Sequence, residues 1–102
     1  MRLTTTRSSG NVFKDVGFPD TEAEHLRVRA DLLIQIQQAL KVRGLKQAEA
    51  ARLLGVTQPR VSDLVRGRID LFSIDSLIDM LARLGVRVKV VVTSPRKRLQ
   101  VA

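Results

Sequence analysis

Residues 47–67 read QAEAARLLGVTQPRVSDLVRG, from Gln47 to Gly67. Two short amphipathic stretches flank the pair Gly55–Val56. Ala50, Ala51, Leu54, Val56, Val61 and Leu64 recur at spacings that line the inner side of two consecutive helices. Ala51 is small enough to let the second helix approach closely. Gly55 permits the left-handed backbone that stops the first helix. Val56 plugs the turn, Thr57 offers a hydroxyl to cap the second helix, and Pro59 is tolerated in its first turn. That leaves Gln58, Arg60, Ser62, Asp63 and Arg66 to face outward.

Upstream, Leu26, Ala30, Leu33, Ile36 or Gln37, and Leu40 keep helical spacing. Thr21 and Glu24 stand at capping-box spacing, which places the start of this helix near Thr21. Gly44 ends it, with Lys41 and Arg43 in the last turn, where cations suit the helix dipole. Downstream, Ser73 reads as an N-cap, and Ile74, Leu77, Ile78, Leu81 and Leu84 share one helical face up to Gly85. Asp79 and Arg83 are spaced as an i,i+4 pair. The period then changes. Val86, Val88, Val90 and Val92 alternate with Arg87, Lys89, Val91 and Thr93, the pattern of a strand that needs a partner.

The expected fold is therefore mainly α, a bundle of about four helices with a C-terminal β-strand. Its expected organisation is a flexible N-terminal arm at 1–19, a helical domain at 20–85, a strand at 86–93 and a basic tail at 94–102. Residues 1–10 are Ser/Thr-rich and read as disordered. The arm continues as NVFKDVGFPD, which brings Phe13, Val16 and Phe18 close together.

The chain's 102 residues suit one small domain, for which dimerisation would add buried surface. It has no cysteine and a single histidine, His25, so no metal site or disulfide framework is expected. No cofactor is implied either. An enzyme reading lacks a glycine-rich phosphate loop, a Cys–His pair or a cluster of metal ligands. No stretch approaches the roughly 18 apolar residues of a membrane span, and MRLTTTRSSG is not a signal peptide, so a cytoplasmic protein is expected. The net charge of +8 favours a polyanionic partner. Its excess leans toward the ends, with net +2 in residues 1–19 and +3 from Arg96, Lys97 and Arg98 in the tail. RNA fits the charge, but the chain has no Trp or Tyr on which to stack bases.

The 47–67 stretch matches a helix-turn-helix, in which the second helix enters the DNA major groove. From about Leu32 to Leu84 the chain resembles the Cro/C1-repressor-like (XRE) helix-turn-helix family. The resemblance implies roles by position. Gln47 corresponds to a glutamine that grips a DNA phosphate, and Lys46 sets a cation beside it. Thr57, Gln58, Pro59, Arg60, Ser62 and Asp63 correspond to the recognition helix, where Gln suits adenine, Arg guanine and Asp cytosine. Asp63 alternatively orients Arg60 or is solvated. Arg66 and Arg68 would clamp phosphates.

Two departures carry expectations of their own. Lys46 replaces the capping Ser or Thr of many members, giving up a cap worth roughly 0.5–2 kcal/mol. Leu40 and Val65 stand where many members bury an Arg–Glu pair, and an apolar pair can replace buried charges without loss.

The flanks narrow the resemblance. NVFKDVGFPD, the long helix and FSIDSLIDMLARLGVRVKVVV are similar to HigA-like antitoxins of type II toxin–antitoxin modules. Such proteins neutralise a RelE/HigB-like toxin and repress their own operon. Implied partners are an inverted-repeat operator in double-stranded DNA, a second copy of the chain and a toxin. Leu71, Phe72, Val86, Val88, Val90 and Val92 are the expected dimer contacts, the valine strands pairing across the two-fold axis. Phe13, Val16 and Phe18 either fold back to cover the core or dock on the toxin. A stand-alone regulator and a protein-interaction adaptor are the alternatives.

Overall fold

The computed structural model describes residues 11–94. The expectations of disorder at 1–10 and of a basic tail carrying Arg96, Lys97 and Arg98 lie outside the described residues. Within them the chain forms α1 (Val12–Asp15), α2 (Asp20–Arg43), α3 (Gln47–Leu54), α4 (Gln58–Val65), a single 3-10 turn (Ile69–Leu71) and α5 (Ile74–Arg83). The four longer helices are those the periodicity marked out, and α1 is an addition.

The core gathers one stripe from each long helix. Leu32, Leu33, Ile36 and Leu40 come from α2, Ala50, Ala51 and Leu54 from α3, and Val61 and Leu64 from α4. Leu77, Met80 and Leu81 come from α5, with Phe72 and Leu84 at its edges. Helices shorter than about 12 residues are marginal alone, so the eight-residue α3 and α4 depend on this shared burial. Arg43, in the last turn of α2, donates from Nη2 to the Leu84 carbonyl and so ties the C-terminal ends of α2 and α5.

The caps follow the sequence closely, with one correction. Ser73 Oγ accepts from the Ser76 N–H at 3.1 Å, and Gly44 takes φ +63 at the end of α2. The start of α2 differs from expectation. The helix begins at Asp20 after Pro19, with no side-chain cap, and Thr21 falls inside the first turn. Pro19 fixes φ at −57, and Asp20 and Glu22 supply negative charge near the helix N-terminus.

Residues 11–19 carry α1 and meet the start of α2. Asn11 is buried; its Oδ1 accepts from the N–H groups of Phe13 (3.0 Å) and Lys14 (3.2 Å), capping α1. Its Nδ2 donates to the Ala23 carbonyl at 3.0 Å, which docks α1 on the first turn of α2. The Phe13 and Phe18 rings meet edge to face, 6.1 Å between centroids. Neither ring nor Ala23 belongs to the main core, so the segment makes a separate small cluster instead of covering the core.

The segment 86–93, expected as a strand pairing across a dimer, has no partner in the single chain, and no strand forms among the described residues. The Val86 N–H closes on the Leu81 carbonyl at 2.9 Å, Val86 and Val88 rest against the core, and Val90, Val91 and Val92 are exposed. A strand exists through its ladder, and within one chain this segment has no neighbouring strand to pair with.

Candidate nucleic-acid interface

The turn between α3 and α4 places the candidate residues. Gly55 adopts φ +72, its N–H bonding the Arg52 carbonyl at 3.3 Å, while the Val56 N–H reaches the Ala51 carbonyl at 3.0 Å. This left-handed residue satisfies the last carbonyls of α3 and swings the chain into α4. Val56 packs against the core, as its place in the sequence implies. Thr57 caps α4, accepting from the Arg60 N–H at a long 3.4 Å, and Pro59 occupies the first turn.

Along α4, Val61 and Leu64 are buried inward. Thr57, Gln58 and Pro59 are exposed at its N-terminal end, and Arg60, Ser62 and Asp63 are half-buried on its flanks. Arg66 caps its C-terminus, and Arg68 follows in the loop; both are exposed. Gln47 is exposed at the first position of α3, beside exposed Lys46. The residues expected from the sequence are therefore presented by the α3 N-terminus, α4 and the loop after it.

Lys46 gives up only half of its cap. An ammonium has no acceptor, so the α3 amides gain nothing from it. Glu49 Oε1, however, accepts from the Lys46 backbone N–H at 3.0 Å. The sequence reading passes over Glu49, although its place three residues after the cap is the signal for this bond.

Two polar ties fix α4 in ways the sequence does not disclose. Gln37 Nε2 donates to the Leu64 carbonyl at 2.8 Å and approaches that of Val65 at 3.4 Å, so α2 caps the end of α4. Val65 itself is 54 % exposed. The expected apolar replacement of a buried pair by Leu40 and Val65 is thus not formed, and the Gln37 amide supplies a polar tie between α2 and α4. Arg60 is the second tie. Its guanidinium lies over the Phe72 ring at 4.2 Å, and Nη1 donates to the Leu71 carbonyl at 3.0 Å. Asp63 does not orient it by any bond of this kind; the Asp63 backbone carbonyl instead accepts from the Arg68 N–H at 3.0 Å.

The expected dimer contacts divide. Phe72 is only 2 % exposed, so its ring serves this chain's own core and offers no free surface, which corrects its expected role. Leu71, Val90 and Val92 are exposed, whereas Val86 and Val88 lean on the core. Of the residues expected at a toxin, Val16 (67 %) and Phe18 (39 %) are exposed and Phe13 is half-buried.

Electrostatics away from α4 centre on Arg27, which pairs with Glu24 (2.7 Å) and Asp31 (3.0 Å). The hydrogen bond from Arg27 lowers the Glu24 pKa. Burial raises that of Asp31, outweighing the nearby Arg27. Among the described residues no group of His, Cys, Asp or Glu gathers to hold a metal, and no helix is long and apolar enough to cross a membrane.

A family model described as a helix-turn-helix domain matches residues 12–93. No curated protein matches the chain. Among solved structures, a provisionally assigned XRE family transcriptional regulator is similar at 30 % identity, with a TM-score of 0.70. The alignment covers 82 % of this chain and 92 % of that one. The family match contains both helices of the α3–α4 pair and the turn between them, and the structural likeness extends over most of both chains: this chain belongs to the helix-turn-helix domain family, of the XRE type.

Proposed function

We propose that this chain is a sequence-specific DNA-binding transcriptional repressor. The observation that carries the reading is the outward row on α4, a helix held by the Thr57 cap, the Gln37 amide and the inward Val61 and Leu64. Held in this way, α4 can enter the major groove at a fixed depth. Gln58, Ser62 and Asp63 then approach base edges, with Thr57 and Pro59 at the adjacent backbone. Lys46, Gln47, Arg66 and Arg68 take phosphates on either side of the groove.

One α4 reads only a few base pairs, so the working unit is a two-fold dimer on an inverted repeat, its half-sites about 34 Å apart. Exposed Leu71 and the valine row at 86–92 support a homodimer. Val86 and Val88 line an open recess with Ile78, Ala82 and Gly85, and the alternating segment beyond offers an edge for the same segment of a second copy. Removing residues 86–102 yields a monomer on this reading; a truncated chain that still sediments as a tight dimer rules it out.

The finer reading is an antitoxin that neutralises a RelE/HigB-like toxin in the cytoplasm and represses its own operon. Val12, Val16 and Phe18 support it, being exposed apolar residues on a cluster separate from the core. Replacing Val16 and Phe18 by Ala abolishes toxin capture without altering DNA affinity if this is correct.

The deciding test is an anisotropy titration at about 150 mM salt, with competitor DNA, on the duplex upstream of the reading frame. Wild type binds tightly and Gln58→Ala loses discrimination between this duplex and random DNA. Weak, sequence-blind binding unaffected by Gln58→Ala sinks the proposal.

A further inference from the structure

Arg60 occupies a position from which an arginine would be expected to read guanine, yet one face of its guanidinium and its Nη1 are already engaged within the chain. Its guanidinium plane covers the Phe72 ring at 4.2 Å, and Nη1 donates to the Leu71 carbonyl at 3.0 Å. The Phe72 ring under it is buried in the core. A cation over an aromatic face in a partly desolvated site is held more firmly than a solvated arginine.

These contacts join α4 to the far end of the loop that follows it. The near end is fixed by the Arg68 N–H on the Asp63 carbonyl, and the middle by the Leu71 N–H on the Arg68 carbonyl at 3.1 Å. Backbone bonds hold the start and middle of the loop, the Phe72 N–H on the Ile69 carbonyl (3.3 Å) and the buried Phe72 ring hold its finish, and the Arg60 side chain ties that finish to α4. It carries two exposed cations, Arg66 and Arg68, whose reach toward DNA depends on where the loop lies relative to α4.

We propose that Arg60 is a positioning residue that braces the Arg66–Phe72 loop against the recognition helix, so that Arg66 and Arg68 meet DNA phosphates in register. The proposal rests on the DNA-binding reading and reassigns Arg60 within it. Base discrimination then belongs to Gln58, Ser62 and Asp63, and Arg60 contributes through the loop.

The experiment uses the full chain and a duplex selected by wild type from a random pool. Arg60→Met, Arg60→Lys and Phe72→Leu are compared with wild type for affinity, for the ratio of selected to random duplex, and for the dependence of affinity on salt. Phe72→Leu removes the seat of Arg60 while keeping an apolar core residue and altering no DNA-facing group. It also serves if Arg60→Met fails to fold. For both Arg60→Met and Phe72→Leu, affinity falls on selected and random duplex alike. The logarithmic salt slope becomes shallower by up to about 1.8, at about 0.9 for each phosphate that Arg66 or Arg68 no longer neutralises. Arg60→Lys keeps the charge but not the planar fork, and behaves as Arg60→Met.

A collapse of discrimination at a single base pair, with Phe72→Leu like wild type, makes Arg60 a base reader and overturns the proposal. A lowered melting temperature with unchanged affinity and salt slope in the folded variants overturns it as well, leaving a purely structural role. A wild type that selects no duplex removes the DNA-binding reading itself, and this proposal with it. The control therefore separates the two failures.

Discussion

Gly55→Ala tests the turn between α3 and α4 quantitatively. The backbone there has φ +72, where an L-residue is strained by about 1–2 kcal/mol. Alanine also restricts the unfolded chain, which returns about 0.4–1 kcal/mol. The new Cβ lies 2.9 Å from Arg83 Cζ and Nη1. Those atoms end a flexible, half-exposed side chain whose Asp79 partner is 3.8 Å away, so Arg83 moves aside at small cost. The net loss is about 1 kcal/mol, and a melting temperature lower by about 4–8 °C follows for a domain of this size. Gly44 provides the control: it has φ +63 with nothing within 4 Å of a built Cβ. Urea melts of Gly44→Ala and Gly55→Ala should give similar losses of about 1 kcal/mol, because the same left-handed strain acts at both. Refutation takes either of two forms. If neither variant is destabilised, the left-handed strain is not what the turn depends on. If Gly55→Ala costs over about 1 kcal/mol more than Gly44→Ala, and Arg83→Ala does not restore it, the obstruction is backbone and Arg83 does not yield.

Other substitutions probe the ties around the motif. Gln37→Leu leaves the Leu64 and Val65 carbonyls without the amide and costs about 0.5–1.5 kcal/mol in a urea melt. An unchanged midpoint would mean that the tie carries no net stability. Asn11→Ala removes the α1 cap and its link to Ala23, costing about 0.5–2 kcal/mol locally. Hydrogen exchange should quicken at residues 11–24 while Leu54, Leu64 and Leu77 keep their protection; a general loss would show that the cluster and core are one unit. The Arg27 partners oppose each other with pH. Glu24, with its pKa lowered, stabilises above the carboxylate range, and that contribution fades as pH falls through the folded-state value. Asp31, with its pKa raised, disfavours folding when charged and recovers on protonation. At neutral pH, Glu24→Gln should therefore destabilise slightly and Asp31→Asn should not, and the contrast should shrink as pH falls below the ordinary carboxylate range and on through the lowered Glu24 value. The reverse order at neutral pH would contradict the assigned directions.

What the sequence discloses is local. The Gly55–Val56–Thr57 turn, the Ser73 cap and the Gly44 stop depend on residues within four positions of each other, and each appears as read. Helical period alone could not choose between Ile36 and Gln37; in the structure Ile36 is fully buried and Gln37 reaches 27 residues ahead to a carbonyl. The Arg60–Phe72 stack spans twelve residues and two rotamers, so no window of sequence shows it. The expected strand at 86–93 is a different case: no ladder forms among the described residues of the single chain. The alternation at 86–93 records a preference for an extended backbone, but a ladder takes a second strand, and the preference cannot say which chain provides it. The Thr21–Glu24 spacing was a genuine cap signal overridden by Pro19, which already sets the entry angle of α2.

The long helix α2 runs through two bodies. Its 24 residues extend for about 36 Å at about 1.5 Å per residue. The C-terminal part, from Leu32, supplies the main core, while Ala23 near the other end belongs to the α1 cluster. The two share a continuous backbone but not one apolar core, so they are free to diverge separately. Substitutions at Val12, Val16 or Phe18 can reshape the surface of the first body while leaving the packing beneath α4 intact. Changes at Leu33 or Ile36 spread through every helix of the second. A lineage can therefore exchange what the amino-terminal body touches without rebuilding the half that carries α4.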